Sequence, residues 1–189
     1  MKTHVRVVVI GGGVVGCSVL YHLTRLGWSD VMLIERSELT SGSTWHAAGG
    51  FHTLNGDTNM AALQGYTIRL YRELEEITGL SCGLHHVGGI TLADSAERFD
   101  MLKAERAKHR YMGLDTHILT PDEIARMTDG MVNPAGILGA LYDPLDGHLD
   151  PSGTTLAYAK AARMAGPRRW SGARSSASSA RPAASGSSC

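Results

Sequence analysis

Two glycine-rich segments lie within the first fifty residues, and they most constrain what this chain can fold into. The first follows a β-branched run, Val5 to Ile10, and places Gly11, Gly13 and Gly16 in the G-x-G-x-x-G spacing. The run is short enough to be a strand buried on both faces. In this pattern the glycines permit a tight turn, close approach of a pyrophosphate and close packing of the next helix. We therefore predict a dinucleotide-binding loop followed by a helix over about Val14 to Leu26, whose N-terminal amides point at the phosphates.

A second apolar run, Val31 to Ile34, ends in Glu35, nineteen residues after Gly16. An acid at the tip of the second strand can accept hydrogen bonds from a ribose diol, and the expected offset is about 20 residues. Gly12 in the loop and Arg36 beside the acid complete this candidate dinucleotide-binding set. The order of strand, loop, helix, strand and acid disfavours a glycine-rich turn without a ligand. The pattern alone does not separate FAD from NAD.

The second glycine-rich segment, Ser41 to Gly50, surrounds Trp45 and His46 with small and hydroxyl residues. Small residues permit a close approach of the backbone to a ligand. The hydroxyls of Ser43 and Thr44 can donate to phosphate oxygens. His46 is placed where it could bond to the reactive ring of the dinucleotide, and the two segments together indicate a flavoenzyme.

The segment ELTSGSTWHAAGG resembles the part of dimethylglycine and sarcosine dehydrogenases that carries a covalently attached flavin. Further along, LGALYDPLDGHLDPSGTTLAYAKAARMAG is similar to the DGH-[IL]-DP region of the same family. The helix predicted from Thr58 to Thr78 and the strand GGITLA fall at matching places between them. The resemblance covers residues 5 to about 166. It implies an α/β, Rossmann-like FAD-binding domain of the D-amino-acid-oxidase type, truncated, with the start of a substrate-binding region.

The resemblance also implies a cofactor linkage and a reaction. His46 would be joined through its imidazole to the 8α-methyl group of FAD, which would hold the cofactor and tune its electronics. The alternative is a hydrogen-bonded loop histidine beside a non-covalent flavin. The implied reaction is oxidation of N-methyl amines such as dimethylglycine, sarcosine or 4-methylaminobutanoate by hydride transfer to the flavin. Formaldehyde would then be released, or a folate would capture the one-carbon unit in a further domain that many members carry.

Two other functions stay open beside this one. The chain could belong to an amine or amino-acid oxidase with non-covalent FAD, or it could be a non-catalytic remnant that pairs with another subunit. An NAD-dependent dehydrogenase fits least, because STWHAAG has no evident purpose there. The catalytic base is not assigned by the sequence.

The other histidines give weaker indications of a site. His148 lies in the loop DPLDGHLDP, where aspartates beside proline and glycine more often make turns and a helix cap than a flavin or substrate contact. His85 and His86 are adjacent, so in a strand they point to opposite faces. With no third ligand at a sensible spacing, we expect no metal site.

Composition limits the partners and the compartment. Eighteen basic and eighteen acidic side chains give a net charge of zero. The charge therefore does not indicate binding to nucleic acid or to an anionic membrane surface. The three cysteines form no metal or redox motif, which fits a reducing cytoplasm. The sequence has no signal-peptide pattern and no apolar run long enough for a bilayer, so we expect a soluble cytoplasmic protein.

The composition changes at Pro167. The last 23 residues contain eight serines, five alanines, four arginines and no acid, and such a segment cannot bury enough surface to offset its ordering entropy. A doubly wound fold requires a strand after the helix that ends near Gly166. We interpret 1–166 as the N-terminal part of the FAD domain and 167–189 as a disordered tail, read out of frame or from a truncated gene. A natural low-complexity tail is the alternative.

Overall fold

The first part of the chain forms the strand–helix–strand unit that the glycine spacing predicts. The computed structural model describes residues 4–53 and 57–165. Strand β1 (Val7–Ile10) and strand β2 (Val31–Ile34) pair in parallel, with Val7 opposite Val31. Helix α1 (Val14–Arg25) joins them and packs on both. The interpretation of 167–189 as a separate tail, and the end of the first unit at Gly166, lie outside the described residues.

Strand β1 differs from the prediction in its burial. Val7 and Val9 are half-buried, and Val9 packs against the core under α1. Val8 and Ile10 point the other way and are exposed, Ile10 by 84%. The prediction that this strand is buried on both faces is wrong for the described residues, because they cover only one face of the two-stranded sheet.

Three helices build the main core beside this sheet. Helix α2 (Thr58–Thr78) has the predicted bounds and ends at Gly79, which takes the left-handed conformation typical of a helix C-terminus. Helix α5 (Pro151–Ala165) packs along α1 and contacts α2. The small side chains of Ala157 and Ala161 on α5 are fully buried, which lets the helices approach closely. In the described residues no helix combines the length and apolar character that crossing a bilayer requires.

A second sheet is formed further along the chain. It contains β4 (Gly89–Ala93), β6 (Gly139–Asp143) and β5 (His117–Leu119), antiparallel in that order. Helices α3 (Ala96–Tyr111) and α4 (Pro121–Met127) pack against β6. The outer strands β4 and β5 each pair with β6, so the central strand carries the core of this sheet.

A short ladder connects the second glycine-rich segment to the turn before α5. Strand β3 (Gly50–Phe51) pairs antiparallel with β7 (Gly147–His148), and Gly50 lies opposite His148. Leu149 extends the contact by donating its N–H to the Gly49 carbonyl at 3.0 Å. The ladder therefore fixes the end of the segment that carries His46 against the segment that contains the DPLDGHLDP motif.

Candidate functional site

The glycine loop has the local geometry that the spacing predicts. Gly11 has φ +106°, a conformation that favours glycine, and its N–H donates to the Ile34 carbonyl at 2.8 Å. A Cβ added at Gly11 would meet no atom within 4 Å, so the loop is open at this point. A Cβ added at Gly16 would lie 1.9 Å from the Gly11 carbonyl oxygen. The first glycine thus makes the turn, and the third lets α1 pack against the loop.

Thr44 connects the two glycine-rich segments. Its side-chain oxygen accepts a hydrogen bond from the Val14 N–H at 3.0 Å, in the first turn of α1. A Cβ at Gly13 would lie 2.9 Å from that oxygen, so glycine is needed for the contact. Thr44 is buried, whereas its neighbour Ser43 is exposed. We expected both hydroxyls at the phosphates. The Thr44 hydroxyl has a further role in the structure, because it accepts a hydrogen bond from an amide at the N-terminus of α1. Phosphate binding is expected at this same end of the helix.

Glu35 lies against the same loop. One carboxylate oxygen accepts from the Gly12 N–H at 2.6 Å, and the other accepts from the Ser37 N–H at 2.9 Å. The bond from Gly12, followed by that from Ser37, lowers the pKa of Glu35, so the side chain is a stable carboxylate acceptor. Arg36 beside it is exposed. The acid is therefore ionised and close to the loop, as a ribose site requires.

Trp45 and His46 form an exposed aromatic pair. Their ring centroids are 4.8 Å apart in an edge-to-face arrangement, and both side chains are exposed. The surrounding segment is a series of turns, held in part by the Trp45 N–H, which donates to the Thr40 carbonyl at 3.3 Å. The imidazole of His46 is thus accessible on a segment that Thr44 ties to the glycine loop.

Sequence reasoning missed a buried polar network on the other side of β3. Asp143 and Asp146 are buried at the end of β6 and in the following turn, and Thr53 is buried between them. The Thr53 N–H donates to Asp146 at 2.9 Å, and the Thr53 hydroxyl donates to Asp143. His52 adds a 2.8 Å contact from Nδ1 to Asp146. The DPLDG letters indicated only a turn, and no local signal predicts partners about ninety residues away.

The environment of Asp143 in this network disfavours its charged form. Burial raises the pKa of Asp143, against the bonds that it accepts from Thr53 and Leu145, and the neighbouring Asp146 raises it further. Two neighbouring carboxylates disfavour each other's ionised form, which accounts for the direction of this last contribution at Asp143. Asp146 accepts the Thr53 N–H and contacts His52.

His148 and His85 lie on the same ladder. The backbones of the two residues exchange hydrogen bonds of 2.8 and 3.0 Å, and their rings are 5.1 Å apart and exposed. His86 instead contacts the Leu145 carbonyl and the ring of Phe51. Among the described residues no three histidine, cysteine or acidic side chains converge on a point where a metal could bind. A contact of His148 with flavin or substrate stays a prediction.

Comparison with known proteins shows which family the chain matches. The family described as FAD dependent oxidoreductase matches residues 6–175. Mitochondrial dimethylglycine dehydrogenase of Rattus norvegicus is 41% identical over 165 residues, which are 87% of this chain and 19% of that protein. Mitochondrial sarcosine dehydrogenase of Homo sapiens is 42% identical over 162 residues, or 85% of this chain and 18% of that protein.

Another relative is named as a regulatory subunit and not as a dehydrogenase. The mitochondrial pyruvate dehydrogenase phosphatase regulatory subunit of Mus musculus is 32% identical over 166 residues, covering 88% of this chain and 19% of that protein. The chain therefore spans about a fifth of the length of these relatives.

A solved structure supports the fold. The L-proline dehydrogenase from P. horikoshii superposes with a TM-score of 0.79 at 25% identity, over 87% of this chain and 43% of that one. The predicted α/β fold class, with an FAD-type nucleotide-binding unit, is confirmed.

Proposed function

Because this chain belongs to the FAD-dependent oxidoreductase family, we propose that it supplies the nucleotide-binding part of an enzyme that oxidises N-methyl amines. The observation that carries the proposal is the identity of 41% and 42% with dehydrogenases named for dimethylglycine and sarcosine. FAD would accept the two electrons of the oxidation. The substrate would be a small secondary or tertiary N-methyl amine, and folate is a further proposed partner of a full-length relative.

The loop and the acid fit the nucleotide half of FAD. Amides at the start of α1, approached through Gly11, Gly12, Gly13 and Gly16, would face the pyrophosphate. The ionised carboxylate of Glu35 would accept hydrogen bonds from the ribose diol. Gly11 leaves open space, and Glu35 is fixed by the loop amide of Gly12, which supports this arrangement. Ser43, with its exposed hydroxyl, and Arg36 are proposed as further phosphate or ribose contacts.

We further propose that His46 carries the flavin covalently, with Trp45 beside the ring. The exposed imidazole and its fixed connection through Thr44 to the glycine loop support this assignment. The chain purified with FAD and precipitated in acid should stay yellow if the bond exists. His46→Ala should release the flavin into the supernatant, whereas His22→Ala, a histidine on α1, should not. A wild-type pellet that loses its flavin would leave non-covalent FAD as the better description.

A second candidate is a flavin-binding protein without catalysis. The relative named as a regulatory subunit favours it, since that protein shares the same region at 32% identity. Such a protein would bind FAD through the glycine loop but would not pass electrons from an amine to it. The anaerobic addition of sarcosine separates the two candidates, because only the enzyme bleaches its flavin.

The location of the protein also remains a proposal. The three cysteines, which form no metal or redox motif, favour the cytoplasm. This expectation is not confirmed, since both dehydrogenase relatives are mitochondrial proteins. Fractionation of cells that express the chain would decide between the two compartments.

A further inference from the structure

We propose that His52, held by the buried carboxylate of Asp146, is the acid–base residue that removes the proton from the substrate ammonium. The inference rests on the amine oxidation proposed above, for which the sequence assigns no base. Asp146 acts through His52 and is therefore a positioning residue. Neither side chain belongs to the candidate nucleotide site that the glycine loop and Glu35 form.

Asp146 is fixed on several sides. Its side chain is only 8% exposed, and it accepts the Thr53 N–H at 2.9 Å through one oxygen and contacts His52 through the other at 2.8 Å. A Cβ added at Gly89 would lie 2.3 Å from that second oxygen, so β4 leaves just enough room for the carboxylate. Asp143, whose pKa burial and the neighbouring Asp146 raise, lies beside it as well. The carboxylate is therefore a rigid acceptor.

This acceptor determines how the His52 ring is protonated. A carboxylate without a proton can only accept, so Nδ1 of His52 must carry the hydrogen of their bond. The neutral ring then has its lone pair on Nε2, and such an aspartate also stabilises the imidazolium that forms when Nε2 takes up a proton. The His52 side chain is 70% exposed, and Nε2 has no hydrogen-bond partner in the described part of the chain. The structure thus presents a fixed, outward-facing base.

The position along the chain connects this base with the proposed flavin. His46 and His52 stand on either side of β3, six residues apart, which is at most about 20 Å in a fully extended chain. The left-handed backbone at Gly49, with φ +75°, departs from that fully extended form. The pairing of Gly50 with His148 holds the strand between them in place. Only the Asp146 end of this contact is buried, and the 70% exposure of the His52 side chain leaves the rest of the ring open to a ligand.

The chemistry needs such a group. An N-methyl amine in neutral water is mostly an ammonium ion, whose nitrogen has no lone pair to stabilise an iminium product. In the proposed step the N–H proton moves to Nε2 of His52, and the electron pair of that bond remains on nitrogen. The lone pair would then assist the loss of a hydride from the methyl carbon, which would become the iminium carbon, and FAD, when bound, would supply the acceptor for that hydride. His52 returns its proton to solvent.

The first readout is the tautomer of His52, which does not depend on activity. The chain labelled with ¹⁵N-histidine, compared with His52→Gln for assignment, should give a neutral ring protonated at Nδ1. Asp146→Asn should lose this preference, because an amide can donate to Nδ1 as well as accept. His117→Gln is the matched control, since His117 is also exposed and lies 3.6 Å from an aspartate, but on β5. A wild-type ring protonated at Nε2 would overturn the proposal.

The second readout is flavin reduction by sarcosine in the FAD-loaded chain without oxygen. His52→Gln can still donate to Asp146, so it should keep the flavin and the fold but reduce the flavin about 100-fold more slowly, the lower end of acid–base effects. Asp146→Asn should slow the reaction less, and His117→Gln should not change it. Equal rates for wild type and His52→Gln would overturn this inference alone. A wild-type chain that holds no FAD would contradict the proposed function itself, and the tautomer of His52 still decides this inference in that case.

Discussion

Replacement of Gly16 by alanine tests whether the glycine spacing is needed for the packing of α1. The added Cβ would lie 1.9 Å from the Gly11 carbonyl oxygen and 3.6 Å from a Val9 methyl, where ordinary contacts begin at 3.4 Å. The close atom belongs to the backbone, so no side-chain rotation relieves the overlap, and α1 must move by more than an ångström. Overpacking of this kind costs about 1–3 kcal/mol. The higher helix propensity of alanine relative to glycine offsets about 0.5–1 kcal/mol of this cost. We therefore expect a net loss of stability, together with weaker FAD binding.

Gly65→Ala provides the matched control for this prediction. Gly65 lies inside α2, and its added Cβ would meet only the end of the flexible Arg69 side chain, at 3.5 Å. This variant should be stabilised by the full difference in helix propensity between alanine and glycine. Each kcal/mol of stability should shift the melting temperature by about 2–4 °C for a chain of this size. Thermal unfolding by circular dichroism, with FAD titration of both variants, measures the difference. If Gly16→Ala melts at or above the temperature of Gly65→Ala, the reasoning about the loop is refuted.

Three further predictions concern other parts of the chain. Thr44→Val removes the acceptor for the Val14 N–H and should cost about 0.5–2 kcal/mol in urea unfolding, as the loss of a helix cap does; unchanged stability would contradict that role. Asp143 has a raised pKa in the fold, so its stabilising contribution is complete at low pH and is lost as the pH rises through that pKa. Wild type should therefore lose stability relative to Asp143→Asn with rising pH, and parallel profiles would refute a raised pKa at Asp143. The nucleotide sequence around Gly166 should continue a β-branched strand in another frame; if no frame does so, the tail 167–189 is natural.

The sequence predicted the parts of the fold that depend on local chemistry. The turn at Gly11, helix α1 and the bounds of α2 follow from glycine spacing, apolar runs and a glycine after the last turn. Glu35 was expected near the loop because the strand–helix–strand unit has a nearly fixed length. In each case the deciding residues are close in sequence or belong to one supersecondary unit.

The remaining parts depend on contacts between distant segments. Thr44 reaches Val14 across thirty residues, and Thr53 reaches Asp143 across ninety, which no local pattern encodes. The exposure of Ile10 depends on which elements cover the sheet, and a hydrophobic run does not specify that. The contact of His52 with Asp146 could not be predicted for the same reason, since it joins distant segments. In addition, the residues around Asp146 are typical of a turn and indicate no other role.

The most direct test of the proposed function is the visible spectrum of the FAD-loaded chain after sarcosine or dimethylglycine is added without oxygen. We predict that the purified chain carries oxidised flavin and that the amine bleaches it, with formaldehyde formed in proportion once an acceptor is supplied. Glycine, which lacks the N-methyl group, serves as the control and should leave the spectrum unchanged. A chain that is bleached by glycine as readily as by the N-methyl amines, or that holds no FAD at all, would contradict the proposed function.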